Sequence, residues 1–127
     1  MPDMKYSKNE AGRKYSGVSS YWDQNRKAVG EMHKQVGDLS INDLGIATRG
    51  LLIRHLVLPG SVAGSSAILE FIAEQISTDT YVNVMDQYRP TYQAREWLEL
   101  NCTVSRQEYE KVVTRAVDLG LRRGISR

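Results

Sequence analysis

Gly50-Leu51-Leu52-Ile53-Arg54-His55-Leu56-Val57-Leu58-Pro59-Gly60 is a nearly unbroken apolar run with one arginine and one histidine at its centre. It is too short to cross a membrane, and its Pro-Gly stop, followed by a helical pattern, selects a buried strand over a buried helix. Strands of this kind belong to parallel sheets covered on both faces, where ligands gather at the carboxyl ends. Arg54 must be paired or solvated by something. The period of two puts it on one face with Leu56 and turns His55 to the other.

Downstream of the run, Ser61 is expected to open a helix whose Ile68, Leu69, Ile72 and Ile76 form an apolar stripe with Phe71 at its edge. Thr78-Asp79 makes a turn. Thr80 to Met85 is rich in β-branched and aromatic residues and reads as a strand running out into Asp86-Gln87-Tyr88-Arg89-Pro90. An irregular stretch from Thr91 to Thr103 precedes Ser105 and Glu108, a capping-box spacing that starts a helix through Tyr109, Val112, Val113, Ala116 and Leu119 to Gly120. The last, basic residues are expected to fray.

Upstream, Leu39 and Ile41 alternate with polar residues before Asn42-Asp43-Leu44-Gly45, so Asp38 to Arg49 reads as a hairpin. Ser20 with Asp23 resembles another capping box, opening a helix through Tyr21, Asn25, Ala28, Val29, Met32 and Val36 that Gly37 ends. Lys8 to Tyr15 is a short helix or turn. Met1 to Tyr6 reads like a strand end running into a loop, so the chain is expected to begin inside a domain. Alternating strands and helices imply right-handed crossovers and a parallel sheet. No repeat or low-complexity linker divides the chain, which is expected to be a single partial domain over residues 1–127.

With 41% hydrophobic and 25% charged residues, the composition is that of a globular domain and argues against disorder and against a membrane protein. The net charge of +2 comes from 17 basic and 15 acidic residues without a Lys/Arg block, which argues against nucleic-acid binding. A lone cysteine, Cys102, cannot build a disulfide framework, and no signal-type segment opens the sequence, so the expected location is the cytoplasm.

Polar side chains collect at three strand ends. Asp3 shares a face with Lys5, Arg54 with Leu56, and Asn83 with Met85, Gln87 and, if the extension continues, Arg89. A carboxylate accepts from ligand hydroxyls, a lysine or arginine holds a ligand carboxylate, and Leu56 and Met85 suit a flat ring or thioether. The set fits a zwitterionic, nucleoside-like ligand. Equally, Arg54 has the option of pairing with a structural carboxylate. His55 reads as a satisfied histidine on the helix side, and neither it nor His33 stands at metal-ligand spacing with Cys102. Tyr6, Tyr15, Tyr81, Tyr88 and Tyr92 are scattered as packing residues rather than set as a stacking platform.

Asp3-Met4-Lys5-Tyr6, Arg54-His55-Leu56-Val57-Leu58-Pro59-Gly60 and Met85-Asp86-Gln87-Tyr88-Arg89-Pro90, in that order, make the chain similar to the C-terminal half of radical S-adenosylmethionine proteins of the pyruvate formate-lyase activating enzyme group, in particular the PflX-like branch. The resemblance implies an α/β fold: half of a partial (β/α)6, TIM-like barrel, from the end of strand four through strand six, with parallel strands and an inserted β-hairpin. It implies S-adenosylmethionine as cofactor, with Asp3, Lys5 and Arg54 in its pocket, Leu56 near the adenosyl group, and Gln87 and Arg89 after the last strand, Arg89 standing where close relatives carry a histidine. The implied chemistry is reductive cleavage to a 5′-deoxyadenosyl radical and hydrogen abstraction, with a glycyl-radical-type protein as the partner substrate. The [4Fe-4S] cluster of that family is held by a three-cysteine loop, and this chain has one cysteine, so no cluster ligand set and no metal site is expected within it. Alone, the chain is expected to be inactive. A different class of function is a non-catalytic binding or assembly module that docks on a separate, cluster-bearing polypeptide such as the missing N-terminal half. A stand-alone enzyme lacks support, since no nucleophile with a base and no phosphate-cradling glycine loop is apparent.

Overall fold

Short extended stretches with alternating side chains build the centre of the molecule. A computed structural model describes residues 1–125, the side chains of Tyr92 and Gln93 excepted. β3 (Leu52–Leu56) runs parallel to β4 (Tyr81–Met85), with Ile53 beside Val82 and His55 beside Val84. Along the other edge of β3, the segment 2–4 adds a parallel rung. There the Arg54 N–H donates to the Pro2 carbonyl at 2.9 Å and the Met4 N–H to the Arg54 carbonyl at 3.0 Å. Alternation then sends Met4, Ile53, His55, Val82 and Val84 to one face, where all are buried.

Helices cover that face. α3 (Ser65–Phe71), continued by a wider π-helical turn (Ile72–Ile76), supplies Ile68, Leu69 and Ile72 to a single apolar cluster. α4 (Arg106–Asp118) adds Val113 and Ala116, of which Ala116 joins that cluster, and α2 (Tyr21–Val36) adds Val29. Fully burying an aliphatic side chain of this size is worth roughly 1.5–3 kcal/mol, so the helix-covered face carries most of the stability. A second cluster of Tyr6, Leu58, Ala63 and Leu100 lies beyond the carboxyl ends of the strands, with α1 (Asn9–Ser16) and the 3-10 turns Tyr92–Glu96 and Leu98–Leu100 around it. On the uncovered face Leu52, Arg54, Leu56, Tyr81 and Met85 are half-buried and Asn83 is exposed. No helix among the described residues is long and apolar enough to cross a membrane.

His55 joins the layers. Its ring is fully buried, with Nδ1 2.7 Å from the Met4 carbonyl and Nε2 2.7 Å from the Ser65 hydroxyl. A carbonyl only accepts, so Nδ1 carries the proton and Nε2 accepts from Ser65. Burial is the main influence on its pKa and lowers it from the ordinary 6.5, with the Met4 carbonyl opposing, so the ring is neutral.

The expected half of a (β/α)6 barrel does not form. The described residues make four α-helices and two separate two-stranded sheets, the antiparallel β1 (Ser40–Ile41) with β2 (Ala47–Arg49), and the parallel β3 with β4. The physical reason lies at the strand edges. On one side the Asn25 amide donates to the Asp3 carbonyl at 3.2 Å and the Lys5 N–H donates to the Tyr21 hydroxyl at 2.9 Å. On the other, the Val82 N–H donates to the Arg123 carbonyl and the Tyr109 hydroxyl to the Val84 carbonyl, both at 3.1 Å. Barrel closure needs strand pairing along both edges of every strand, and here other groups hold those backbone positions. Gly124, at φ +80°, permits the close approach, because a side chain there would come within 2.6 Å of the Val82 carbonyl.

Three local expectations also change. Ser20 sits in the left-handed region (φ 58°) and makes no side-chain cap; Asn9 of α1 instead accepts from the Trp22 and Asp23 N–H groups at 2.8 and 3.3 Å. The helix after the central strand starts at Ser65 rather than Ser61, behind a tight turn (Pro59–Ser61) in which Gly60 and Ser61 both have positive φ. The basic tail is tied down as far as it is described, since Arg123 bonds β4 and the Asp79 carbonyl, while Ser126, Arg127 and the Tyr92 side chain lie outside the described residues. The hairpin and the Ser105–Glu108 capping box form, and Glu108 also accepts from the Gly60 N–H at 3.0 Å, tethering α4 to the end of the central strand.

Two measurements check this account. Between the lowered folded pKa of His55 and its unfolded value of 6.5, the unfolded chain binds more protons, so stability is complete above about pH 6.5 and declines as pH falls below it. Urea unfolding is expected to show that decline between pH 8 and 5, with Ser65→Ala costing about 1–3 kcal/mol by orphaning Nε2; a flat profile would contradict the buried neutral ring. Ser105→Ala is expected to cost about 1 kcal/mol through the lost cap. Glu108→Ala should cost at least as much, because it frees the Gly60 turn as well, and thermal unfolding of the pair ranks them.

Candidate functional site

The carboxyl ends of segment 2–4, β3 and β4 lie side by side, so residues far apart in sequence meet there. Asp3, Lys5, Arg54, Leu56 and Met85, with Tyr6, Leu58 and Tyr88, line one cavity of about 240 Å³. Four of the six residues expected in the cofactor pocket are thus together. Gln87 and Arg89 are not. β4 ends at Met85, the alternation stops with it, and both side chains are exposed away from the cavity, Arg89 bonding the Tyr88 carbonyl at 3.3 Å.

Within the cavity, Arg54 donates to both carboxylate oxygens of Asp3, Nε to Oδ1 at 2.8 Å and Nη2 to Oδ2 at 3.3 Å. The arginine that the apolar run had to account for is therefore paired. The pair is 41% and 38% exposed, so solvent screens it and its net contribution is at most about 1 kcal/mol despite the bidentate geometry. A pair held this loosely can exchange partners. The Lys5 ammonium is exposed at the rim, with no ion-pair partner among the described residues. Leu56, Leu58 and Met85 supply an apolar wall, and the strand register fixes their spacing.

Tyr6 and Tyr88, read from the sequence only as packing residues, also line the cavity. Both are anchored at the hydroxyl, Tyr6 to the Ser16 Oγ at 2.9 Å and Tyr88 to the Leu100 carbonyl at 2.8 Å. Burial raises the Tyr88 pKa, so the phenol stays protonated and donates. The segment bearing Leu100 is held by Glu99, which accepts from the Tyr15 hydroxyl at 2.6 Å and from Lys14 at 3.0 Å, while Lys14 lies 4.8 Å over the Trp97 ring. The Tyr15 bond, the backbone N–H of Glu99 and Lys14 bring that carboxyl down to about 2. Pairing over 84 residues of separation left no mark in the local pattern.

The arrangement has groups suited to holding a polar ligand. It offers a carboxylate, two cations and an apolar wall, and no nucleophile beside a base. Among the described residues no three His, Cys, Asp or Glu side chains come together, and Cys102 is exposed. A cluster held by three thiolates needs cysteines beyond the single one in this sequence. A wider concavity of about 780 Å³ between the end of β4 and α4 is lined by Asp86, Arg106 and Glu110 among others, and Arg106 and Glu110 pair with each other there at 2.9 Å.

No protein-family model matches the chain, and no solved structure matches it. It is 32% identical over 114 residues to an uncharacterized protein of Methanocaldococcus jannaschii, MJ0674, in an alignment covering 89% of this chain and 29% of that protein. The chain thus spans under a third of the length of the curated relative that it matches.

Proposed function

We propose that this chain is the part of a radical S-adenosylmethionine protein, resembling the pyruvate formate-lyase activating enzyme, that contributes one side of the S-adenosylmethionine pocket. The observation that carries the reading is the convergence of Asp3, Lys5, Arg54 and Leu56 on one cavity at the strand ends. In this reading Lys5 and Arg54 hold the ligand carboxylate, Asp3 accepts from ribose hydroxyls once Arg54 turns to the ligand, and Leu56 and Met85 pack the adenosyl and thioether portions. Bound S-adenosylmethionine supplies 5′-deoxyadenosyl radical chemistry in the complete protein, acting on a glycyl-radical-type partner. The [4Fe-4S] cluster comes from outside this chain, whose residues do not fit it, and the working location is the cytoplasm.

A second reading, of another class, is a non-catalytic module that docks on a separate cluster-bearing polypeptide. Its support is the uncovered sheet face. Parallel sheets are ordinarily covered on both faces, whereas Leu52, Leu56, Tyr81 and Met85 stay partly exposed here.

Nuclear magnetic resonance titration of the chain with S-adenosylmethionine tests the pocket. Weak, millimolar binding is expected, with shifts confined to Asp3, Lys5, Arg54, Leu56 and Met85. Lys5→Ala and Arg54→Ala are each expected to weaken it about tenfold, the loss of one charge-assisted contact. Shifts elsewhere, or binding indifferent to both substitutions, would remove the assignment. Anaerobic treatment with iron and sulfide is expected to leave the chain colourless, and a stoichiometric cluster would contradict the division of labour.

A further inference from the structure

The hairpin of β1 and β2 is solvated from foot to tip. Every residue from Ser40 to Arg49 is exposed, and the two strands form a sheet of their own with no third strand on either edge among the described residues. A lone two-stranded hairpin is marginal in water. Yet this one is held in a single shape. Asn42 Oδ1 accepts from the Leu44 and Ile46 N–H groups at 2.9 and 3.0 Å, and the Gly45 N–H donates to the Asn42 carbonyl at 2.9 Å. At the foot, Arg49 donates to the Gln35 carbonyl at 3.3 Å.

What the fixed tip presents is apolar. Ile41, Leu44 and Ile46 are 44%, 81% and 57% exposed, and Met32 and Val36, on the last turns of α2 before the hairpin, are exposed as well. Most of the exposed large apolar side chains among the described residues thus fall between Met32 and Ile46. Such concentrations mark interaction surfaces.

The backbone adds an open edge. Because the Asn42 N–H donates to the Ile46 carbonyl at 2.9 Å, the adjoining pair, Ile41 with Ala47, is of the non-hydrogen-bonded kind, and its N–H and C=O groups point out of the ribbon. An edge in this state is a template for another strand. Charge selects the strand. Asp43 at the tip and Arg49 at the foot are both exposed, and neither is in an ion pair among the described residues. A second copy aligned antiparallel along β2 sets each Asp43 toward the other's Arg49, whereas alignment along β1 would set Asp43 toward Asp38, a like charge.

We infer that two copies of this chain pair through their hairpins, β2 against β2, in a four-stranded antiparallel sheet about a two-fold axis at Ala47. The two Ala47 residues exchange N–H···O bonds there, and Ile46 of each copy lies across from Thr48 of the other. Covering Leu44 and Ile46 supplies the driving force, while the edge bonds and the Asp43–Arg49 contacts set the orientation. The surface shares no residue with the Asp3–Arg54 cavity or with the uncovered face of β3 and β4, so it stands whether or not either functional reading does.

Sedimentation equilibrium of the full chain, from micromolar to millimolar concentration, tests it. A reversible monomer–dimer equilibrium is expected. Asp43→Arg and Arg49→Asp, both at exposed positions, are each expected to weaken the dimer about tenfold, since both contacts across the axis become repulsive. An equimolar mixture of the two variants is expected to regain the original affinity, because in the mixed dimer both contacts again join opposite charges. Leu44→Ser should weaken association with the circular dichroism of the monomer unchanged, and exchange of the Ala47 amide should slow as the concentration rises. A chain monomeric throughout, a dimer indifferent to both charge reversals, or single variants that mixing does not rescue would each overturn the inference.

Discussion

The buried imidazole of His55 is the interaction on which the rest of the structure depends. It bonds the Met4 carbonyl on one side and the Ser65 hydroxyl on the other. Through it the segment carrying Asp3 and Lys5, the central strand carrying Arg54, and the start of α3 form one unit. Burial keeps the ring neutral, and the Met4 carbonyl fixes its proton on Nδ1, since the other tautomer would set a bare ring nitrogen against that carbonyl.

What the strut positions is an ion pair that is itself weak. Asp3 and Arg54 meet because the parallel rung places their backbones in register, not because their charges attract strongly through solvent. This separation of roles suits a binding site. The apolar layer and the histidine hold the frame, and the charged groups at the strand ends remain free to change partners. Lys5 and the wall of Leu56 and Met85 belong to the same frame through the alternation of their strands.

Much of this arrangement was legible in the sequence because it is written in local periods. The period of two along Leu52 to Leu56 and Tyr81 to Met85, the hairpin signal around Asn42, and the spacing of Ser105 and Glu108 each correspond to an element that forms. The opposite facing of Arg54 and His55 follows from the same period, as does the grouping of Asp3, Lys5, Arg54 and Leu56. The barrel was not legible as wrong, because strand patterns do not say what takes a strand's outer edge. Tyr21 and Asn25 look like ordinary helix residues, and Arg123 looks like part of a loose tail, yet these residues occupy the edge positions that further strands would need. Gln87 and Arg89 lie outside that cavity for a related reason: the strand ladder ends at Met85, so the alternation does not carry on to them. The contributions of Tyr6, Tyr88 and Glu99 depend on contacts between distant segments and had no local signal.

The most direct test of this account is nitrogen-15 magnetic resonance of the His55 ring as a function of pH. The structure predicts a single tautomer with the proton on Nδ1, an unprotonated Nε2, and a ring whose second proton is taken up below its ordinary pH of 6.5 while the chain is folded. A ring protonated on Nε2 alone, or one that gains its second proton near its ordinary value with the fold intact, would contradict the strut and the positioning of Asp3 and Arg54 that rests on it.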